Sequence, residues 1–463
     1  MHKATPNGER IQRLAPHLLW ASWALAMLLL FRPAIHGIDT VGYYSWLRSV
    51  GIQGSLDVSD EFFALGYGGE RAQTFTGYQR NEYPVGSAVM WAPFFALGHL
   101  VALGGNLVGA EWPLDGYSAP YLAATAFGSS LYALAGLWLL FRLLARLTCR
   151  SSALWACLTA FYASPLLFYS TAHPFMSHAN DFALHALILV LWMLPGRPTT
   201  WRRGALGLVI GLAASVRLQN AILLLWPVGE EALSLARRRA PWLGLMKCIG
   251  ATGAGALLGL LPQLVTWRVV YGQWLVLNPY GLSDMGGFNW ASPHFGDVLF
   301  STKGLFAWTP AYLLGVGGLA WLLLRGQVAL PLDSERNLPT DSLRRLALFL
   351  LGNLALLAYV IGSWQVWTGA AAFGQRFLVS CVPALAVGLG VIYERWQRRQ
   401  WTLAVVLVSA LFVAWNAILL ARYGMGDIQR SGLPTWEALT WGQVRFALAF
   451  PQRAGAVLQQ MRR

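Results

Sequence analysis

The chain is a succession of apolar runs of membrane length, and the loops between them either carry several arginines or carry none. A helix that crosses a bilayer needs about 20 largely apolar residues, and Lys and Arg in the short loops mark the cytoplasmic side. Together the two rules fix a topology. Lys3, Arg10 and Arg13 put the N-terminus inside, and no small-residue cleavage site follows the run Leu18 to Phe31, so it reads as an uncleaved span at about 17–33. Residues 34–83 then form a long extracytoplasmic loop. Further spans are expected at about 118–141, 152–170, 177–195, 243–269, 303–325, 345–363, 376–394 and 401–421. Arginines follow the runs ending at 141, 195, 325 and 394, whereas 104–118, 271–302 and 364–375 hold no Lys or Arg.

Two stretches need separate treatment. The run 84–103 is apolar enough to span, but the loop after it carries no Lys or Arg, so it is expected as a helix lying at the outer interface, with a true span as the alternative. The run 204–228 is interrupted by Arg217, Gln219 and Asn220 and is followed by Arg237, Arg238, Arg239 and Lys247. Two short helices, about 204–216 and 219–229, satisfy the charge rule and leave Arg217 at a turn. The expectation is an all-α polytopic transmembrane bundle of about eleven spans, with interfacial helices in its long first outer loop. Residues 1–421 form one domain, and 422–463 are read as an extracytoplasmic tail. The tail's six arginines oppose the charge rule, so either it rests on anionic lipid or the count is off by one.

Composition agrees with a membrane protein, since 12% of residues are charged against roughly 25% in soluble domains. The net charge of +14 then belongs to cytoplasmic loops and anionic lipid rather than to nucleic acid. Cys149, Cys157, Cys248 and Cys381 have neither metal-type spacing nor the density of a disulfide framework.

Polar residues at a membrane edge are costly and are therefore functional candidates. Asp39 follows the first span, with Tyr43 and Tyr44 at i+4 and i+5 and Arg48 beyond; the plain alternative is that Asp39 caps a short helix. Asn81-Glu82-Tyr83-Pro84 closes the outer loop, where Asn and Pro also suit a simple turn. His173 and His178, with Asp181 nearby, could bind a divalent metal only with a further ligand, and a helix cap with hydrogen-bonded histidines competes with that reading. Arg217, Lys303 and Arg376 each sit at the outer mouth of an apolar run beside Gly, Gln or Asn. Each could be a snorkelling anchor; three converging would suit a lipid-linked phosphate.

Three features, Gly37-Ile38-Asp39 with Tyr43-Tyr44, the Asn81 to Pro84 turn, and the split run Gly211 to Asn220, resemble the polytopic GT-C glycosyltransferases, the class of protein mannosyltransferases and lipid A aminoarabinose transferases. The resemblance covers about 1–230; the Lys303-Gly304 and Phe373 to Arg376 motifs resemble bacterial members. It implies a glycosyltransferase of the bacterial inner membrane with its active site on the periplasmic or extracellular face. The donor would be a polyprenyl-phosphate sugar and the acceptor a lipid, glycan or protein. Asp39 would be the general base, with Arg217, Lys303 and Arg376 on the donor phosphate. Tyr43, Tyr44, Asn81, Glu82, Tyr83, His173, His178, Gln219, Asn220, Trp308 and Gln375 would line the substrates. Thr40 stands where many relatives carry a second acidic residue, so no metal or other cofactor is firmly implied. A secondary transporter or flippase is the competing class, although it would normally have internal repeats.

Overall fold

The protein, seen in a computed structural model, is described at residues 6–68, 72–196, 198–237, 241–276, 287–328 and 340–461. Lys3, Arg238 and Arg239 of the loop charges, and Arg462 and Arg463 of the tail, lie outside the described residues. Among those described the chain is helical, with isolated bridges and no named strand. It is a polytopic helical membrane protein.

Seven helices are long and apolar enough to cross a membrane: Arg13–Leu30, Gly86–Leu107, Ala119–Leu147, Trp242–Val270, Thr340–Ser363, Arg376–Arg398 and Thr402–Gly424. The pair Phe295–Trp308 and Ala311–Arg325, bent by 105°, makes up to eight. About eleven spans were expected; among the described residues seven helices, or eight with the bent pair, meet this length and composition. The run at 152–170 is broken into Arg150–Tyr162 and Leu166–Thr171 at Ser164-Pro165, because proline cannot supply the N–H that a helix interior needs. The run at 177–195 is a helix of only 15 residues, His178–Trp192, and the two pieces around Arg217 are likewise short. Hydropathy counts apolar residues and is blind to these breaks. Conversely 84–103, expected at the interface, is a helix of 22 residues that meets the requirement for crossing.

Two compact units divide the chain. The first comprises Met1–Phe31, Leu134–Phe168 and Phe288–Arg463; the second comprises Arg32–Ala133 and Tyr169–Gly287. In the first, nearly all of the apolar stretch within Arg376–Arg398 is buried, and Val382–Arg398 packs against Ala311–Arg325 and Arg150–Tyr162. Gly315 and Gly318 of Ala311–Arg325 face Gly388 of Val382–Arg398, and a Cβ at Gly388 would stand 1.9 Å from the Gly315 carbonyl oxygen. In the second, Thr200–Val216 and Trp242–Val270 touch backbone to backbone in the same way. Gly207 and Gly211 lie against the carbonyls of Thr252 and Ala256, and Gly255 and Gly259 lie against those of Gly204 and Leu208. Lipid tails are as apolar as leucine, so such helices gain by close packing of small residues rather than by burial alone.

Gly211→Ala should therefore lower thermal stability in detergent by about 1 to 3 kcal/mol, since the new Cβ would stand 2.1 Å from the Ala256 oxygen and the helices must part. Gly253→Ala in the same helix pair meets nothing within 4 Å and should be neutral. Equal melting of the two variants would contradict this packing.

Candidate functional site

Asp39 lies in the first turn of the helix Ile38–Arg48, in the second unit. The cap residue is Gly37, at φ 85°, a conformation glycine adopts without strain, so the expectation that Asp39 might be the cap does not hold. One turn on, Gly42 leaves the helix backbone bare, and the ring of Tyr83 fills that place: a Cβ at Gly42 would stand 1.9 Å from its Cδ2. From there the Tyr83 hydroxyl donates to Asp39 Oδ1 at 2.6 Å. Burial first, and the Asp39 carboxylate second, hold the Tyr83 phenol well above its usual range, so the hydroxyl remains a donor.

Asn81 sets this turn. Its Nδ2 donates to the Gly42 carbonyl at 2.8 Å and its Oδ1 accepts from the Tyr83 amide at 3.2 Å. Trp46 Nε1 donates to the Tyr83 carbonyl at 2.8 Å, and the Tyr271 hydroxyl donates to that of Asn81 at 2.9 Å. Two residues beyond Pro84, Gly86 lies directly on Ser215 and Val216, where a Cβ would stand 2.3 Å from the Ser215 carbonyl carbon. That contact places the turn next to the end of Thr200–Val216, where the backbone opens into an extended conformation at Arg217.

Arg217 is buried, and its guanidinium meets side chains at the start of His178–Trp192 and at its own turn. Nη1 donates to Ser177 Oγ at 3.4 Å and lies 3.3 Å from His178 Nδ1, while Nε is 3.5 Å from Asp181 Oδ2. With its amide turned to suit, Gln219 accepts from Nε at 2.8 Å and from Nη2 at 3.0 Å. Asp181, fully buried, accepts from Asn220 Nδ2 at 2.7 Å and faces His185 Nδ1 at 3.2 Å. Ser177 Oγ donates to the Tyr43 hydroxyl at 3.2 Å, and the Tyr43 ring meets Tyr83 edge-on at 5.1 Å. Asp39, Tyr83, Tyr43, Ser177, Arg217 and Asp181 thus form one connected polar and aromatic series within a single unit.

The remaining expected residues divide. Glu82 is buried next to Tyr83, and His173 lies near Tyr169, whose ring packs on His178 at 4.4 Å. Tyr44 is turned away into the core, its hydroxyl on the Gly116 carbonyl and its ring 5.2 Å from Phe175. Among the described residues no three of His, Cys, Asp or Glu gather as a metal would require. Asp181 joins Arg217 instead. Ser177, at the cap position of its helix, makes no cap bond. Lys303, Arg376, Trp308 and Gln375 belong to the first unit, so the three expected cations are one in the second unit and two in the first. Gly42, Ser177 and Gly86 escaped notice in the sequence, because a close contact between segments 40 or more residues apart leaves no local pattern.

No family model matches the chain, and no curated protein is similar to it. Among solved structures it is similar to the archaeal oligosaccharyltransferase AglB from Archaeoglobus fulgidus, in complex with an inhibitory peptide and a dolichol-phosphate, with a TM-score of 0.48 and 11% identity. The match covers 97% of this chain and 56% of that one, so the chain spans little more than half its length. The likeness concerns the course of the helices and gives no residue here a role.

The Ile38–Arg48 helix is held at its far end by Arg48, which donates to Glu61 Oε1 at 2.8 Å and to the Asp115 carbonyl at 2.9 Å. Burial pushes the Glu61 carboxyl above its usual range, against the pull of Arg48. A carboxyl whose folded value is raised gives stability that is present below its ordinary pKa, about 4.3, and is lost as pH rises through the raised value. Glu61→Gln cannot ionise, so its melting temperature should fall less than that of the wild type between acid and neutral pH; parallel curves would contradict the assignment.

Gly42→Ala and Tyr83→Phe test the hold on Asp39. Tyr83→Phe removes one hydrogen bond and should cost about 1 kcal/mol. Gly42→Ala must expel the whole ring and should cost more, as thermal unfolding of the two variants would record.

Proposed function

We propose that the chain is a membrane glycosyltransferase of GT-C type, transferring a sugar from a polyprenyl-phosphate donor to a hydroxyl of a lipid, glycan or protein acceptor, at the outer face of a bacterial inner membrane. The observation that carries the reading is the presence, within one unit and along one connected series, of a partly exposed carboxylate steadied by a phenol and a buried arginine beside Ser177, His178, Asp181 and Gln219. The first is what a general base requires. The second suits a group that must meet negative charge as it develops.

In this reading Asp39 takes the proton of the acceptor hydroxyl, and the acceptor oxygen forms its bond to the anomeric carbon. The bond from that carbon to the phosphate oxygen breaks on the opposite side, which inverts the configuration and releases polyprenyl phosphate. Arg217 is the cation assigned to the leaving phosphate, where a planar guanidinium can give two parallel hydrogen bonds. Its existing contacts of 3.3 to 3.5 Å with Ser177, His178 and Asp181 are long, and a phosphate offering shorter ones would displace them. Tyr43, Tyr83, Glu82, His173, His178, Gln219 and Asn220 are the residues of this unit assigned to the substrates, with Asn81 holding the turn and Tyr44 supporting it from the core.

Asp39→Asn keeps shape and removes the proton acceptor. Transfer from a labelled polyprenyl-phosphate sugar should fall by about 10² to 10⁴ while the protein stays folded and inserted. Wild-type turnover by Asp39→Asn would remove Asp39 from the mechanism, and movement of the lipid across vesicles without any transfer would replace the enzyme by a flippase.

A further inference from the structure

Where the membrane-length helix Thr340–Ser363 ends, the loop at 287–294 lies against it and carries a column of stacked rings. Phe288 lies nearly parallel to Trp290, with ring centres 5.1 Å and planes 9° apart, and it also stacks on Trp364 at 6.4 Å and 19°. Trp364 is buried whereas Trp290 is 51% exposed, so the column runs from the core to the surface and ends in an indole. Four residues on, the His294 ring stacks on buried Trp367 at 5.6 Å and 25°. His294 Nδ1 meets Asp297 Oδ2 at 2.9 Å, and both side chains are 54% exposed.

Backbone contacts fix this arrangement. The Asn289 amide donates to the Ser363 carbonyl at 2.6 Å, that of His294 donates to the Gly362 carbonyl at 2.7 Å, and Phe288 pairs with Trp364 as an antiparallel bridge. One turn back in the helix, the Tyr359 hydroxyl donates to the Trp290 carbonyl at 2.6 Å. Gly362 permits the approach, since a Cβ there would stand 2.8 Å from the Phe295 nitrogen. Ordering a flexible surface residue weakens binding, and here the backbone that carries Trp290 is already ordered.

Indoles also anchor proteins at a membrane interface. An anchor requires an amphipathic ring at the right depth, but neither a supporting stack nor an exposed carboxylate and imidazole close by in the chain. Residues 287–300 and 359–367 hold no Lys or Arg, so this surface offers no cation to a phosphate headgroup or an acidic ligand, and Asp297 repels both. An uncharged ligand with an apolar face and a rim of hydroxyls suits it. The axial C–H groups of a sugar ring are slightly positive and fit the negative face of an indole, while Asp297 and His294 can exchange hydrogen bonds with hydroxyls.

We propose that Trp290, backed by Phe288 and Trp364 and flanked by His294 and Asp297, is a binding site for an uncharged glycan chain, with the indole taking the face of one sugar ring. All five residues belong to the first unit, whereas Asp39 and Arg217 belong to the second, so the site stands apart from the residues assigned to transfer.

The test reads binding and needs no turnover, so it can fail while the transferase reading holds, and the reverse. Full-length protein in phosphatidylcholine nanodiscs is applied to a printed array of neutral and acidic glycans, and affinity for the best-retained neutral glycan is measured by calorimetry. Neutral glycans should be retained in preference to acidic ones. Trp290→Ala should weaken binding by about tenfold, the scale of a lost aromatic contact. Trp290→Tyr keeps an aromatic face and should restore most of it, whereas Trp290→Leu keeps apolar area alone and should bind no better than the Ala variant. Trp290 lies at the surface, so these variants should fold, as unchanged melting would record. Retention of no neutral glycan, or equal affinity of wild type and Trp290→Leu, would overturn the site. Quenching of fluorescence by brominated lipid chains that disappears in Trp290→Leu would make the column a membrane anchor instead.

Discussion

A buried carboxylate has to be answered by donors, and in the second unit Asp181 is the one around which the other polar groups are arranged. It gathers Asn220, His185 and Arg217 from two helices and a turn. Leaving the charge of Asp181 or of Arg217 alone in an apolar interior would cost several kcal/mol. The break in the helix at Arg217 follows from the same requirement. At φ −149° and ψ 115° the residue leaves the helix, and Asn220 closes back on the Ala213 carbonyl at 2.9 Å. The Ala213 carbonyl, which accepts the last helical N–H, from Arg217 at 2.9 Å, thus also accepts from a side chain, which ties the irregular turn to the end of the helix.

Glycine supplies the complementary device. Where Asp181 draws segments together by charge, Gly42 and Gly86 let them touch without a side chain between. The aromatic turn at Tyr83 is caught between the two, its ring on Gly42 and its following helix on Ser215 and Val216. Asp39 and Arg217 therefore stand at the ends of one rigid series although 178 positions separate them in the chain. Neither device would be effective alone. Charge gives attraction without a fixed distance, whereas close backbone packing fixes the distance.

Periodicity and charge made the fold class legible, because membrane-length runs and the arginine content of loops are properties of contiguous residues. The split at Arg217 was equally plain, since Arg, Gln and Asn interrupt an apolar run. The break after Ser164 was not, because the run around it is as hydrophobic as a true span and only the proline marks it, whereas the loop at His173-Pro174 falls where it was expected. In the site, Asp39 and the Asn81 to Tyr83 turn were visible as separate motifs. Their junction was not, because the i+4 and i+5 spacing pointed to Tyr43 and Tyr44, whereas the hydroxyl on Asp39 comes from Tyr83. Asp181 looked like a neighbour of two histidines, and nothing in the order of residues could assign it to an arginine 36 positions later.

The way Arg217 is held bears on what it can do. A guanidinium held against a carboxylate at 2.8 Å, as Arg203 is on Glu231, is a structural tie, and an incoming anion would have to compete with a full charge pair. Arg217 Nε stands 3.5 Å from Asp181 Oδ2, and shorter bonds go to the neutral amide of Gln219. An amide is readily exchanged for a phosphate oxygen, since the exchange replaces a neutral acceptor by a charged one and leaves Asp181 its bonds to Asn220 and His185. The pair that Arg217 makes with Asp181 is thus longer than those of Arg48, Arg203 and Arg422, each within 2.8 Å of its carboxylate.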